Sequence, residues 1–219
     1  MRRAVWQGSD GNTDHRDDVM DYRNKAGDKL LRRRARTSAL LSCSVVLAFF
    51  AGSASASLEG ENLLQPLPPG FKIATQEHNH RAALTEMVPS AETVDNWTQM
   101  VTTQIYFGAS GPSFETYRSG MEQRWQTACD KTDSVPVTTG KENGYDFQIW
   151  MQSCHHADAK HPPEITWFKM IRGNDSTYVL QVAFHAEPQK EQVIQWMKYL
   201  KQVIVCDSRL KDRVCPTTK

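Results

Sequence analysis

The densest set of side chains able to do chemistry is the run Cys154-His155-His156, with Asp158 and His161 close behind. Imidazoles and thiolates this close together can hold zinc, copper or nickel. The competing reading is a solvated loop after a strand, closed by Pro162-Pro163. A cysteine committed to a disulfide is no ligand, so His155, His156 and His161 are weak metal candidates and no metal or other cofactor is expected. His78 and His80 could join them only if the fold brings them near. No catalytic residue is assigned, because neither G-x-S-x-G nor H-E-x-x-H occurs. The loop Gly108-Ala109-Ser110-Gly111 precedes a helix and could receive an anion, but it lacks a P-loop lysine, and Ser113 reads better as a helix cap.

The cysteines carry a second kind of chemistry. Cys43 lies in an apolar leader, which leaves Cys129, Cys154, Cys206 and Cys215. An even number in an oxidising compartment reads as two disulfides, with three possible pairings. Cys206 and Cys215 are nine apart across a polar turn, which favours a local bridge and leaves Cys129 for Cys154.

That compartment follows from the leader. Arg32, Arg33, Arg34 and Arg36 precede an apolar run from Ala39 to Phe50, and Ala54-Ser55-Ala56 closes it. Charged region, short apolar core and A-x-A site form a signal peptide, residues 32–56, with cleavage expected before Ser57. A permanent span needs about 20 apolar residues, so no stable membrane span is expected after cleavage. Leu40-Leu41-Ser42-Cys43 resembles a lipoprotein box but falls too early in the core. The adjacent arginines leave the general and twin-arginine routes open. Residues 1–31 are polar, with six aspartates, and read as a disordered or mis-started extension. The expected location is periplasmic or secreted.

Charge excludes one class of partner. Residues 1–56 carry a net charge of +4 and residues 57–219 a net charge of −3. A mildly acidic domain lacks the basic footprint of nucleic-acid binding.

The elements that must position these groups alternate strand and helix signals. Residues 57–69 end in Pro66-Leu67-Pro68-Pro69-Gly70 and read as a Pro-rich linker, so order is expected from Phe71 and one domain over 70–219. Strands are expected at 71–75, 82–88 and 101–107, with a short helix from Thr93 to Trp97. Phe114, Tyr117, Met121 and Trp125 make an apolar helical stripe ending near Cys129. A second β block opens with Tyr145, Phe147, Ile149 and Met151 on one face and Asp146, Gln148, Trp150 and Gln152 on the other. Strands follow at 164–172 and 177–184, joined by the hairpin signal Gly173-Asn174-Asp175. A last helix from Pro188 to Val205 presents Val193, Met197, Leu200 and Ile204 to the sheet built from residues 145–184. The sum is an α+β domain, a mostly antiparallel sheet of about six strands packed with two main amphipathic helices.

In this element order the chain resembles the PsbP-like sandwich, shared by a photosystem extrinsic subunit, a Ran-binding protein and several exported bacterial proteins. The likeness covers 70–206, with the helix 188–205 closing the domain. The stretch Glu92-Thr93-Val94-Asp95-Asn96-Trp97-Thr98-Gln99-Met100-Val101-Thr102 also looks like a segment of secreted Gram-negative proteins to which no activity is assigned. No functional residue carries over from either resemblance, because the fold hosts varied chemistry. The expected function is that of an exported, non-catalytic domain binding a protein or envelope partner. The alternatives are a hydrolytic enzyme and a metal-binding or sensing protein using 154–161. Trp150, on the more polar face of its strand, is the candidate partner contact, since aromatics concentrate at interfaces.

Overall fold

The computed structural model describes residues 58–108, 111–156, 162–213 and 215–216. The chain divides into Met1–Ala51 and Gly52–Lys219, and every described residue lies in the second unit. The leader, its cleavage site and the polar extension fall outside the described residues.

Seven strands form one sheet in the order β2-β3-β4-β8-β7-β6-β5, and every neighbouring pair is antiparallel. They are β2 (Phe71–His78), β3 (Ala82–Pro89), β4 (Gln99–Phe107), β5 (Lys131–Glu142), β6 (Tyr145–His155), β7 (Glu164–Arg172) and β8 (Ser176–Phe184). A second, two-stranded sheet pairs β1 (Glu61–Leu64) with β9 (Ile204–Asp207). The helices are α1 (Phe114–Ala128) and α2 (Lys190–Gln202). The fold is α+β, as the periodicities require.

The helices cover opposite faces of the sheet. Tyr117 of α1, with Phe114, Met121 and Trp125, packs on Trp150, Phe168, Met170 and Val179. On the other face Trp196, Tyr199 and Leu200 of α2 pack on Met87, Val101, Leu180, Val182 and Phe184. The second face of β6 is covered by β9 and β1, where Tyr145, Phe147 and Ile149 pack with Ile171, Tyr178, Val205 and Leu63, so both faces of β6, β7 and β8 are buried. Alternation along these strands assigns a residue to one of two interior layers, not to core or solvent.

Four expectations are corrected. The linker is part of the fold: Glu61 pairs with Asp207 and Leu64 with Ile204. The Glu61 carboxylate accepts from the amides of Asn174 (2.6 Å), Asp175 (3.2 Å) and Ser176 (3.1 Å), and from Tyr178 Oη (3.1 Å). The prolines follow β1 and do not interrupt it, so order begins ahead of Phe71. Second, 93–97 is no helix. Thr93 and Asn96 exchange backbone hydrogen bonds of 3.2 Å, and Glu92 accepts from the amide and hydroxyl of Thr98 at 2.7 Å each. A turn held by a side chain outcompetes one helical turn there.

Third, β5 is a strand beyond those expected, at the edge of the sheet. Asn143 (φ 48°) and Gly144 (φ 77°) form the tight turn joining it to β6, the Asn-Gly signal of a two-residue hairpin. Polar residues, Pro136 and Gly140 conceal the strand, but an edge position tolerates all of them. Fourth, α2 stops at Gln202, and Val203-Ile204-Val205 continues extended, as β-branched residues favour. Ile204 therefore belongs to β9. The buried side of the helix is Trp196, Tyr199 and Leu200, with Val203 beyond its end, while Val193 and Met197 flank it half-buried.

Candidate functional site

Helix α1 delivers its C-terminal end to the corner where β5 starts and β6 stops. Ser113 caps the other end, accepting from the Thr116 amide at 3.1 Å. Cys129 is the C-cap, its amide bonded to Trp125 O at 2.8 Å, and the next amide, Asp130, donates to His155 O at 3.0 Å. Thr132 then faces Cys154 across the ladder. This register sets Cys129 and Cys154 with Cα atoms 5.5 Å apart, and their sulfurs are bonded. A second bridge joins Cys206 to Cys215. Two bridges in so small a domain fit an oxidising, exported compartment.

His156 Nε2 lies 3.3 Å from Cys154 Sγ. The possible ligand atoms of Cys129, Cys154 and His156 all fall within 4.8 Å of one another. In the oxidised protein neither sulfur is a thiolate, so this set offers one imidazole and no charge to a cation. His155 is exposed, whereas His161 and Asp158 lie outside the described residues. His78 ends β2 and His80 lies in the turn after it, at the opposite edge of the sheet from the β5–β6 corner. The fold does not bring these two histidines to the others.

Beside that corner, α1 and β5 enclose a groove of about 270 Å³ lined by Glu122, Trp125, Gln126, Thr132, Asp133, Ser134 and Gln152. Ser134 Oγ donates to Glu122 Oε1 at 2.5 Å, and Arg118 bridges them, Nε to Glu122 at 2.9 Å and Nη2 to Ser134 at 3.0 Å. The Ser134 hydrogen bond, with help from Arg118, holds the Glu122 carboxyl below its ordinary range. The groove is a polar surface able to exchange hydrogen bonds.

Trp150 does not reach this surface. It is 1 % exposed, stacked on Phe168 with ring centroids 4.9 Å apart and planes 4° from parallel, and Tyr117 meets it edge-on. Its candidacy as a partner contact is corrected: the polar neighbours Gln148 and Gln152 share the face that α1 covers. Exposed aliphatics lie elsewhere, Leu67, Ile73 and Ile194 among them. Val135 and Val137 on β5 are 46 % and 47 % exposed, flanking Pro136 and the irregularity between Pro136 and Thr138. Among the described residues no strand pairs with the outer edge of β5 or of β2. Sequence reasoning missed the β5 edge because it missed β5, although Asn143-Gly144 marks its end.

No helix among the described residues is long and apolar enough to cross a membrane. No protein-family model and no curated protein matches the chain. Among solved structures, it is similar to the solution structure of cyanobacterial PsbP (CyanoP) from Synechocystis sp. PCC 6803. Identity is 8 %, 74 % of this chain and 95 % of that one are covered, the TM-score is 0.38, and the resemblance is architectural.

Proposed function

We propose that this protein is an exported, periplasmic, non-catalytic domain that binds a protein or envelope partner, and that the partner supplies an extended segment along β5. The observation that carries the reading is the outer edge of β5, with two half-exposed valines beside a polar groove. An open edge presents unpaired amides and carbonyls, and strand addition takes affinity from these and selectivity from alternate side chains. Val135 and Val137 supply apolar contact, and Asp133, Ser134 and Gln126 in the adjoining groove supply hydrogen bonds. Pro136 and the irregularity beside it interrupt the edge, which limits indiscriminate pairing between copies.

Photo-crosslinking in the native cell envelope tests this. A photoreactive residue at Val137 should trap a discrete adduct, whereas one at Ile194, 44 % exposed on α2, should not. Val135→Lys with Val137→Lys should abolish the adduct formed by a photoreactive residue at Thr139 while leaving the thermal midpoint within a few degrees. Adducts from α2 alone would move the interface to the other layer. Export itself is checked by mass spectrometry of the envelope form, which should begin at Ser57; a form retaining residues 32–56 contradicts it.

A further inference from the structure

The Cys129–Cys154 bridge has a neighbour that the Cys206–Cys215 bridge lacks among the described residues: an imidazole aimed at sulfur. His156 Nε2 stands 3.3 Å from Cys154 Sγ, and the three potential ligand atoms cluster within 4.8 Å. In a tetrahedral zinc site, with Zn–S of about 2.3 Å and Zn–N of about 2.0–2.1 Å, ligand atoms are spaced about 3.5–3.8 Å apart. The nitrogen–sulfur spacing is thus already near that of a coordinated pair. Cys129 Sγ must still move, away from Cys154 Sγ by about 1.8 Å and to about 3.5 Å from the imidazole, from a position within 4.8 Å of it. Cys129 is half-buried at the helix C-cap. The backbone on either side is pinned by Asp130 N to His155 O at 3.0 Å and by the pairing of Thr132 with Cys154.

A carboxylate stands behind the set. Glu164 is the ladder partner of Cys154 on β7 and accepts from Thr166 Oγ1 at 2.9 Å. It lies close enough to His156 for the two to interact electrostatically.

We propose that Cys129, Cys154 and His156 form a redox-gated site for a zinc-class divalent cation, closed while the two sulfurs are bonded and open once a dithiol has reduced them. A thiolate of the dithiol attacks Cys129 Sγ, the more accessible sulfur, and Cys154 leaves as a thiolate beside His156. The second thiol of the dithiol, once deprotonated, then displaces Cys129 and closes its own disulfide. Two electrons pass to the protein, the dithiol is oxidised, and both cysteines are reduced. Cation binding releases the protons of the two thiols to solvent. Zinc then holds together the α1–β6 junction that the disulfide held before.

Cobalt(II) and zinc titrations of the full chain, oxidised and after dithiol reduction with the reductant removed anaerobically, test this. The oxidised protein should show no thiolate-to-cobalt charge-transfer band. The reduced protein should show one at one equivalent, displaced by zinc. His156→Ala should weaken the reduced site by about 10–100-fold or more with no change in the oxidised protein's melt. Cys206→Ser with Cys215→Ser should keep the band. Should that variant not fold, alkylation of the reduced wild type replaces it, with zinc protecting Cys129 and Cys154 and sparing Cys206 and Cys215. No band after reduction, a His156→Ala protein that titrates like wild type, or protection centred on Cys206 would each overturn the proposal. The β5-edge reading of partner binding is untouched by any of these results.

Discussion

Lys169 and Glu142 form an ion pair inside the layer between the sheet and α2: the ammonium is fully buried and donates to the Glu142 carboxylate. It also donates to Leu200 O at 2.7 Å and Val203 O at 2.9 Å, and lies 5.1 Å from the centroid of Phe147. One side chain from the middle of the sheet therefore serves the end of β5 and the carbonyls left open at the end of α2. Burial pulls the Lys169 pKa down and Glu142 opposes this.

Glu142→Ala should cost about 3–5 kcal/mol, because it strands a buried charge. The double variant Lys169→Met, Glu142→Gln should be milder than that single change. The pKa of Lys169, already lowered in the fold, should drop further in Glu142→Ala. The unfolded chain then holds the proton to higher pH than the native one, so this variant should recover stability as pH rises. Urea unfolding at neutral and alkaline pH decides it, and a double variant at least as destabilised as Glu142→Ala would mean that the stranded charge is not the source of the loss.

Glu61→Ala should loosen both the 173–176 turn and β1. The carboxylate accepts three amides and the Tyr178 hydroxyl, and stranding such donors costs about 1–3 kcal/mol. Hydrogen exchange should show protection lost at Ser176 and along Asn62–Leu64. Unchanged exchange would return residues 57–69 to the role of a linker.

Leu200→Ala should cost about 2–5 kcal/mol, since the side chain is fully buried under α2. Ile194→Ala, on the exposed side, should stay within about 0.5 kcal/mol. Thermal melts separate the two. Equal effects would require the helix to be rotated on the sheet.

Arg209 grips Asp207 with Nε to Oδ1 at 2.8 Å and Nη2 to Oδ2 at 2.6 Å. These bonds hold the Asp207 pKa at about 2, against about 3.9 for a free aspartate. A depressed carboxylate stabilises fully above its unfolded pKa and loses that contribution as pH falls through its folded pKa. Melting temperature against pH should therefore fall between about pH 4 and about pH 2, and Arg209→Ala should flatten that limb. An unaltered acid limb in the variant would assign the loss to other carboxylates.

Much of the fold was legible because its signals are local. Tyr178, Leu180, Val182 and Phe184 alternate with period two, and Tyr117, Met121 and Trp125 recur with a helical period. The Gly173-Asn174-Asp175 turn names itself. The spacing of nine between Cys206 and Cys215 pointed to the bridge that the structure contains, and Cys129–Cys154 followed. The rest depended on partners distant in sequence. Trp150 sits among polar neighbours, and only the packing of α1 over that face shows that the face is interior. Glu61 in β1, beside a proline run, carries no local strand signal, because the order of this segment comes from β9 and from a turn more than a hundred residues away. Lys169 reads as a break in an apolar strand until Glu142 and the end of α2 are seen to satisfy it. His156 gains its chemical meaning from the 3.3 Å that tertiary structure places between its ring and Cys154. Periodicity and turn chemistry lie within a few residues of chain, whereas burial, charge pairing and a possible ligand set are relations between segments, and only the folded topology sets those.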